Sequence, residues 1–492
     1  MDSYPPKSYP ETLVPALQDW ALGNGLTMLL PGAPSTAVHA PTTLFPSPFP
    51  RKAFFDALVV QQYYNELYAR VALDEAWLTE IISDLAKFDK DFTGKLWETF
   101  LLAKKKGITQ PLSLGLFRSD YLVHQDDDND SGAPGIKQVE FNTVSVSFGA
   151  LTSKVAELHN YLIASGAYGD SINQKFYQDT DLVPVSTSID LLADGLASGH
   201  NAYIKGRSDT ELETKPSILF VVQPNELNAL DQRHIEYSLL KNHGIRSFRV
   251  TLADVSHTTR SDPLNNRLIH IASNTEVSVV YYRSGYAPTD YPSQKEWDAR
   301  LYLETTTAIK CPTLLTQLAG AKKIQQILTD KAVLKQFLPN ACDDNIESII
   351  KTHVAIYPLD ESAQGLESRK LAFEQPERFV LKPQREGGGN NVYKSNIPSF
   401  LNSIPEEEWA GYILMELINP PIIENKIIRK GEIYDGEIVS ELGIFGTMLW
   451  NSSTGEIIEN DTAGWLLRSK LQSSDEGGVA AGFGCVDGVY LV

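Results

Sequence analysis

The chain has 492 residues, enough for about three domains on the usual size scale. Hydrophobic residues make up 42% and charged residues 21%, an ordinary composition for a water-soluble globular protein and not that of a disordered or membrane-embedded one. With 62 acidic against 43 basic residues the net charge is −19, which argues against a general nucleic-acid or membrane-surface binder and requires locally gathered positive charge to meet any anionic substrate.

Residues 1–50 are rich in proline and serine and hold one amphipathic stretch, "ETLVPALQDWALGNG". No secretory leader or arginine-rich transit peptide is legible there, and no apolar run approaches the about 20 residues a membrane span needs, so the expected location is cytoplasmic. Residues 52–105 carry apolar positions at spacings of three and four and read as helices. The period then changes to two. "LSLGLFRSDYLVH" and "IKQVEFNTVSVSF" read as strands joined by "QDDDNDSGAPG". That acidic tip lacks the ligand spacing and closing glutamate of a calcium loop and reads as a solvated turn. If the hairpin is symmetric about its tip, Arg118 lies opposite Asn142, with Glu140 and Asn142 on one face. Ser145 and Ser147 then continue along the same strand. Glu140 and Asn142 on one parity, with Ser145 and Ser147 just beyond them, beside an arginine mark a candidate site.

Residues 216–285 read as a separate α/β unit. "SILFVV" is a buried strand, "LDQRHIEYSLLKNHG" a helix with a glycine stop, and "SFRVTL" and "EVSVVYYRSGY" further strands. Glu226 and Asn228, and Arg283 and Tyr286, follow strand ends, where open α/β sheets bind ligands. His234 and His243 read as surface residues. "WDARLYLETTTAIK" and "TLLTQLAGAKKIQQILTDKAVLKQFL" read as helices, and the remainder from about residue 353 as strands and loops, with 360–370 an exposed loop. Cys311, Cys342 and Cys485 form no CxxC, which fits free thiols in a reducing compartment and offers no zinc site. Sequons at Asn451 and Asn460 carry no weight without a secretion signal.

"VLKPQREGGGNNVY", residues 380–393, reads as strand, loop, strand. Bare glycine backbone lets N–H groups approach a bulky anion such as phosphate. A mobile hairpin tip is the other reading, and the loop alone does not decide between them. Its parts suit a nucleoside triphosphate: Lys382 can neutralise phosphate and Glu386 can hold Mg²⁺. There is no GxSxG, HExxH, strand-linked GxGxxG or GxxxxGK[ST]. Serine hydrolase, zinc protease, Rossmann dehydrogenase and P-loop ATPase therefore all lose support.

From about residue 45 onward the chain resembles the eukaryotic glutathione synthetases, of ATP-grasp fold. The resemblance is carried by "FRSDYL", "KQVEFNTVSVSFG", "VVYYRSGY", "TQLAGAKKIQQ", "VLKPQREGGGNNVY", "YILMELI", "SELGIFG", "LLRSK" and "EGGVAAGFG", in family order. It implies an α/β ATP-grasp fold with an inserted parallel α/β substrate-binding domain. The expected division is 1–110, a largely helical N-terminal region; 111–214, a strand-rich part of the catalytic core; 215–312, the α/β substrate domain; and 313–492, the nucleotide-binding region with its glycine-rich loop and a C-terminal alanine/glycine-rich lid loop.

The implied activity is ATP-dependent joining of γ-glutamylcysteine to glycine through an acyl phosphate, with Mg²⁺, in a homodimer. The implied metal ligands are Glu140, Asn142 and Glu386. For ATP the resemblance implies Glu140, Lys322, Lys382, Pro383, Gln384, Arg385, Glu386, Gly387, Gly388, Gly389, Asn390, Asn391 and Tyr393. It adds Met415, Glu416, Leu417 and Ile418 at the adenine, and Glu441, Lys470 and Glu476. For the peptide and acceptor it implies Arg118, Val144, Ser145, Val146, Ser147, Glu226, Asn228, Gln232, Arg283, Ser284, Gly285, Tyr286, Arg468, Val479 and Ala480. Arg118, Lys382 and Arg468 are the expected catalytic residues. Two alternatives stand beside this reading: a related ligase using another amine, such as β-alanine or serine, and a non-catalytic nucleotide-binding protein. The second would have lost the magnesium ligands or the phosphate lysine, and both are present.

Overall fold

The architecture is that of a computed structural model, which describes residues 4–125, 134–207, 215–386, 389–474, 478–479, 482 and 484–492. The strand Leu112–His124 is buried along nearly all its length, and its two edges organise the molecule. One edge pairs antiparallel with the long strand Glu432–Asn451. The other edge is shared. Near Ser113 it pairs in parallel with Ile309–Cys311, and from Arg118 onward it pairs antiparallel with Gly135–Asn142. Arg118 thus stands where one edge passes from the α/β unit to the hairpin.

Among the described residues thirteen strands form this sheet. On one side of Leu112–His124 come Glu432–Asn451, Ile457–Leu471, Gly484–Asp487, Thr42–Thr43 and Ile423–Arg429. On the other, Ile309–Cys311, Thr275–Tyr282, Ser217–Val221 and Ser247–Val250 are mutually parallel, the pattern expected for 216–285. Ser217–Val221 and Thr275–Tyr282 are buried at every position, as strands covered on both faces are. A second, four-stranded sheet, in the order Ile356–Pro358, Tyr412–Glu416, Phe379–Pro383, Val392–Tyr393, has small apolar cores of its own.

The hairpin register agrees with the sequence reading, with Arg118 opposite Asn142 and Asp120 opposite Glu140. Alternation sends Phe141 to the face opposite Glu140 and Asn142. There Phe141 stacks on Tyr68, ring centres 4.0 Å apart and 11° from parallel, and also meets Tyr64 and Phe117. Aromatic pairs add about 0.5–1.5 kcal/mol each beyond burial. Because a one-residue slip would exchange the faces, this packing fixes which side chains face the site.

The structure corrects several expectations. The second hairpin strand ends at Asn142, so Ser145 and Ser147 lie on a following loop, with Ser145 at φ 54°. Residues 111–214 are strand-rich only to 142, after which helices Gly149–Ala164 and Ser188–Lys205 follow. The run "WDARLYLETTTAIK" is helical only to Glu304, and Ile309–Cys311 is a sheet strand. Residues 360–370 are no loop. Ala363–Glu374 is a helix capped by Ser362, which accepts from the Gly365 N–H at 3.0 Å. Four short strands between Thr27 and Phe49 were not legible in the N-terminal region. The three cysteines are free, and no helix among the described residues is long and apolar enough to cross a membrane. The acidic turn at 126–133 lies outside the described residues.

Candidate active site

The residues predicted for nucleotide and metal converge between the two sheets. Lys322 opens the helix Lys322–Ile327 and is buried. Its Nζ donates to Glu140 Oε2 at 2.9 Å and to both oxygens of Glu386 at 3.1 Å. Glu140 comes from the hairpin, and Glu386 follows the strand Phe379–Pro383, so one ammonium joins the two sheets. Burial works against the Glu140 carboxylate, but Lys322 and Lys382 outweigh it and hold its pKa well below the usual value. Glu386, sharing the same ammonium, is pushed up to about 7, chiefly by burial.

Lys382 is buried on Phe379–Pro383, with 4% exposure. Its Nζ donates to the Val139 carbonyl at 2.9 Å and forms no ion pair with a carboxylate among the described residues. Burial draws its pKa down to about 8, with nearby Lys322 acting in the same direction. A desolvated ammonium whose nearest partner is a neutral carbonyl is poised to receive an anion.

A second knot of charge lies beside the first. Asp120, fully buried, accepts from Arg118 Nε at 2.5 Å and Nη2 at 2.8 Å, from Arg468 Nη2 at 3.1 Å and from Asn142 Nδ2 at 3.1 Å. Arg468 Nε also donates to Glu441 at 2.7 Å. Gly443 faces Asp120 across the sheet, and a Cβ there would come within 2.8 Å of Arg118 and 2.9 Å of Asp120. The bare backbone makes room for the knot. Asp120 was missed in the sequence, although it stands two residues from Arg118 in "FRSDYL" and so shares its face.

Four cations (Arg118, Lys322, Lys382, Arg468) thus gather with four carboxylates (Asp120, Glu140, Glu386, Glu441). This is the local positive charge that the acidic composition called for, offset by acids. A balanced centre suits a metal–phosphate complex better than a bare polyanion. Among the described residues no cluster of three or more His, Cys, Asp or Glu converges for a metal. Two carboxylates with the Asn142 amide suit Mg²⁺, which keeps several waters and binds through one or two carboxylates and substrate phosphates. The Asn142 Nδ2 is turned to Asp120 and to the Arg118 carbonyl, so its Oδ1 points the other way.

Of the other residues expected at the nucleotide, several lie on or beside the small sheet. Gln384 accepts from the Lys323 N–H at 3.1 Å and donates to the Gly411 carbonyl at 3.0 Å. Pro383 ends its strand opposite Tyr412. Gly389 has φ +76°, and Asn390 follows it. Asn391 donates to the Tyr393 hydroxyl at 3.3 Å. Met415 packs with Ile356, Val380 and Ile413, flanked by Tyr393, Leu417 and Ile418, an apolar surface fit for a base. The Glu416 carboxylate is taken by Arg378. Lys470 pairs with Val439 and Gly484 in the large sheet. Arg385 turns elsewhere, to Asp89. Gly387, Gly388, Glu476 and Ala480 lie outside the described residues.

The peptide-side residues meet around the 143–148 loop. Arg283 Nη1 donates to the Val146 carbonyl and Nη2 to Ser147 Oγ at 2.7 Å. Ser145 Oγ donates to the Tyr282 carbonyl at 3.2 Å, and Val144 is buried in the core. Asp231 accepts from the N–H groups of Phe148, Ala150 and Leu151, which seats the helix behind the loop. Asn228 donates to Asp231 at 3.2 Å, and Gln232 to Glu226 at 3.3 Å. Buried Asn228 Oδ1 and Arg283 Nε have no protein partner among the described residues, so an acceptor and a donor are left for a ligand or water. Asp290 accepts from the N–H groups of Gly285, Tyr286 and Ala287, and Ser284 is buried between Arg283 and this turn. Val479, expected at the acceptor pocket, is buried within an apolar cluster. Sequence reading also missed Asp231, in the first turn of the helix Ala229–His243, and Asp290, at the end of the turn Pro288–Asp290.

Two sheets holding paired lysines and carboxylates between them define the chain as a ligase of the ATP-grasp class. The family model for the ATP-binding domain of eukaryotic glutathione synthase matches residues 7–491. The chain is 41% identical to the glutathione synthetase large chain of Schizosaccharomyces pombe, covering 100% of this chain and 99% of that protein. It is 38% identical to the chloroplastic glutathione synthetase of Arabidopsis thaliana, over 92% and 79% of the two chains. Its fold matches the apo structure of a glutathione synthetase-like effector from Globodera pallida, with TM-score 0.72, 25% identity and coverage of 98% and 96%. The chain belongs to the eukaryotic glutathione synthase family.

Proposed function

We propose that the chain joins γ-glutamylcysteine to glycine at the expense of ATP, through an acyl phosphate. The observation that carries this reading is Lys382, a buried ammonium hydrogen-bonded to a carbonyl and set beside the Lys322, Glu140 and Glu386 group. A carboxylate is a poor electrophile at neutral pH. Transfer of the γ-phosphoryl group gives it a good leaving group, and the glycine amine then attacks the carbonyl carbon. Such transfer needs positioning and charge neutralisation rather than a protein nucleophile, in keeping with the missing triad motifs.

On this reading Lys322 and Lys382 hold the phosphates, and the apolar surface at Met415 receives the adenine. Glu140, Asn142 and Glu386 would hold magnesium, which when bound would offset charge on the phosphate oxygens. Arg283, Ser145, Ser147, Glu226, Asn228 and Gln232 hold γ-glutamylcysteine. Arg118 and Arg468, set by Asp120, steady the carboxylate as it attacks phosphorus. Residues near Val479 and Ala480 exclude water, because a wet acyl phosphate would hydrolyse. The enzyme works as a homodimer, and its free thiols suit the reducing cytoplasm.

A coupled ADP assay with each substrate omitted in turn tests the reading. ADP release should require both γ-glutamylcysteine and glycine, and replacing glycine by β-alanine or serine should slow it. Release indifferent to γ-glutamylcysteine would overturn the assignment. The metal assignment has its own test. Glu140→Gln and Glu386→Gln should each shift the magnesium dependence of activity to higher concentration, because an amide keeps the shape but loses the charge. Unchanged magnesium curves for both would make these acids structural.

A further inference from the structure

Arg385 immediately precedes Glu386, yet its guanidinium leaves the nucleotide sheet for the helical N-terminal region. Nη1 donates to Asp89 Oδ2, and the guanidinium lies 5.7 Å from the centre of the Phe92 ring. Asp89 is 9% exposed and heads the π-helical turn Lys90–Gly94. Its Oδ2 also accepts from the Thr93 N–H at 3.1 Å and from Thr93 Oγ1 at 2.6 Å. A π turn is rare and concentrates at functional sites. In this chain it places an acid and an aromatic ring where one guanidinium meets both.

The same backbone is pinned at the preceding residue as well. Gln384 is held by the Lys323 N–H and the Gly411 carbonyl. Residues 384 and 385 are thereby both held by their side chains, and the next residue, Glu386, extends to Lys322. Ordinary strand pairing does not provide this: the antiparallel partners of Phe379–Pro383 stop at Pro383.

We propose that Asp89 is a positioning residue for the nucleotide site, acting through Arg385 to set where Glu386 stands against Lys322 and so how Mg·ATP is received. This rests on the ligase reading above. The charge of Asp89, more than its shape, carries the effect, because hydrogen bonds between ionised partners are the strong ones.

Asp89→Asn keeps an oxygen for the Thr93 contacts and removes the charge. It should raise the KM for Mg·ATP by about tenfold, the size of one charge-assisted hydrogen bond. The KM values for γ-glutamylcysteine and glycine should move by less than about twofold, since their residues lie on other elements. Arg385→Gln should do the same, and the double variant should add little to either single one. Calorimetric titration with a non-hydrolysable Mg·ATP analogue should show the same tenfold loss without turnover, and the thermal midpoint should stay near that of the unaltered enzyme. If Asp89→Asn does not fold, Arg385→Gln carries the test. Unchanged analogue affinity, or equal rises in all three KM values, would overturn the proposal. If the unaltered enzyme does not use γ-glutamylcysteine, the ligase reading fails, while analogue binding still judges Asp89.

Discussion

Replacing Lys382 by methionine should leave a folded protein and lower turnover by about a hundredfold or more, the usual size of a lost charged contact to a transferring group in a closed site. The two halves of that expectation have one cause. Lys382 is buried, and its ammonium has been drawn down to about 8 by desolvation and by Lys322. Desolvation makes that ammonium a burden on the fold, which Glu140, Glu441 and Glu386 offset only in part, so an apolar chain of similar volume is tolerated in its place. With phosphate present the same charge supports phosphoryl transfer. The thermal midpoint of Lys382→Met should therefore match or exceed that of the unaltered enzyme while ADP release collapses. Near-normal turnover in the folded variant would remove this lysine from the phosphate site.

Asp120→Ala should act in the opposite way, through the fold first. Asp120 is fully buried and is the common acceptor for Arg118, Arg468 and Asn142. Removing it leaves two buried guanidinium groups without their shared anion, though Arg468 retains Glu441. Breaking a buried ion pair at one end costs about 3–5 kcal/mol. Urea unfolding should show a loss of that order. Asp120→Asn, which keeps one acceptor oxygen, should lose less stability but still misplace the arginines, lowering kcat/KM for γ-glutamylcysteine. A change in unfolding free energy below about 1 kcal/mol in Asp120→Ala would mean that the knot is not electrostatically coupled.

How far the sequence could be read depended on where periodicity was visible. The parallel unit at 216–285 was legible because its central strands carry the apolar runs ILFV and VVYY and its helix closes on Gly244, which sits in the left-handed region at φ +67°. The hairpin pairing was legible from the symmetry of its tip. The helix Ala363–Glu374 was not, because its buried positions are Gly365, Ser368, Arg369 and Ala372, which form no apolar stripe. The strands between Thr27 and Phe49 are two to seven residues long and are set among prolines, so alternation has no room to show.

The site divides in the same way. Lys322, Glu140, Glu386 and Lys382 carry charge inside recognisable motifs, and the structure brings them together. Asp120 and Asp89 act on other side chains instead: Asp120 joins its near neighbour Arg118 to the distant Arg468, and the partner of Asp89, Arg385, lies about 300 positions away along the chain. No local pattern announces such pairs. The direction of Arg385 was likewise set by a distant aspartate and ring, not by the glycines beside it.

The acyl phosphate is tested most directly by isotope transfer. The cysteinyl carboxylate of γ-glutamylcysteine is labelled with oxygen-18 at both oxygens, the reaction is run to completion with glycine and Mg·ATP, and the released phosphate is analysed by mass spectrometry. If the carboxylate attacks the γ-phosphorus and its oxygen departs with the phosphate, each phosphate carries one labelled oxygen. Unlabelled phosphate from a complete turnover would contradict the acyl phosphate, and with it the roles of Lys382, Arg118 and Arg468 in forming it.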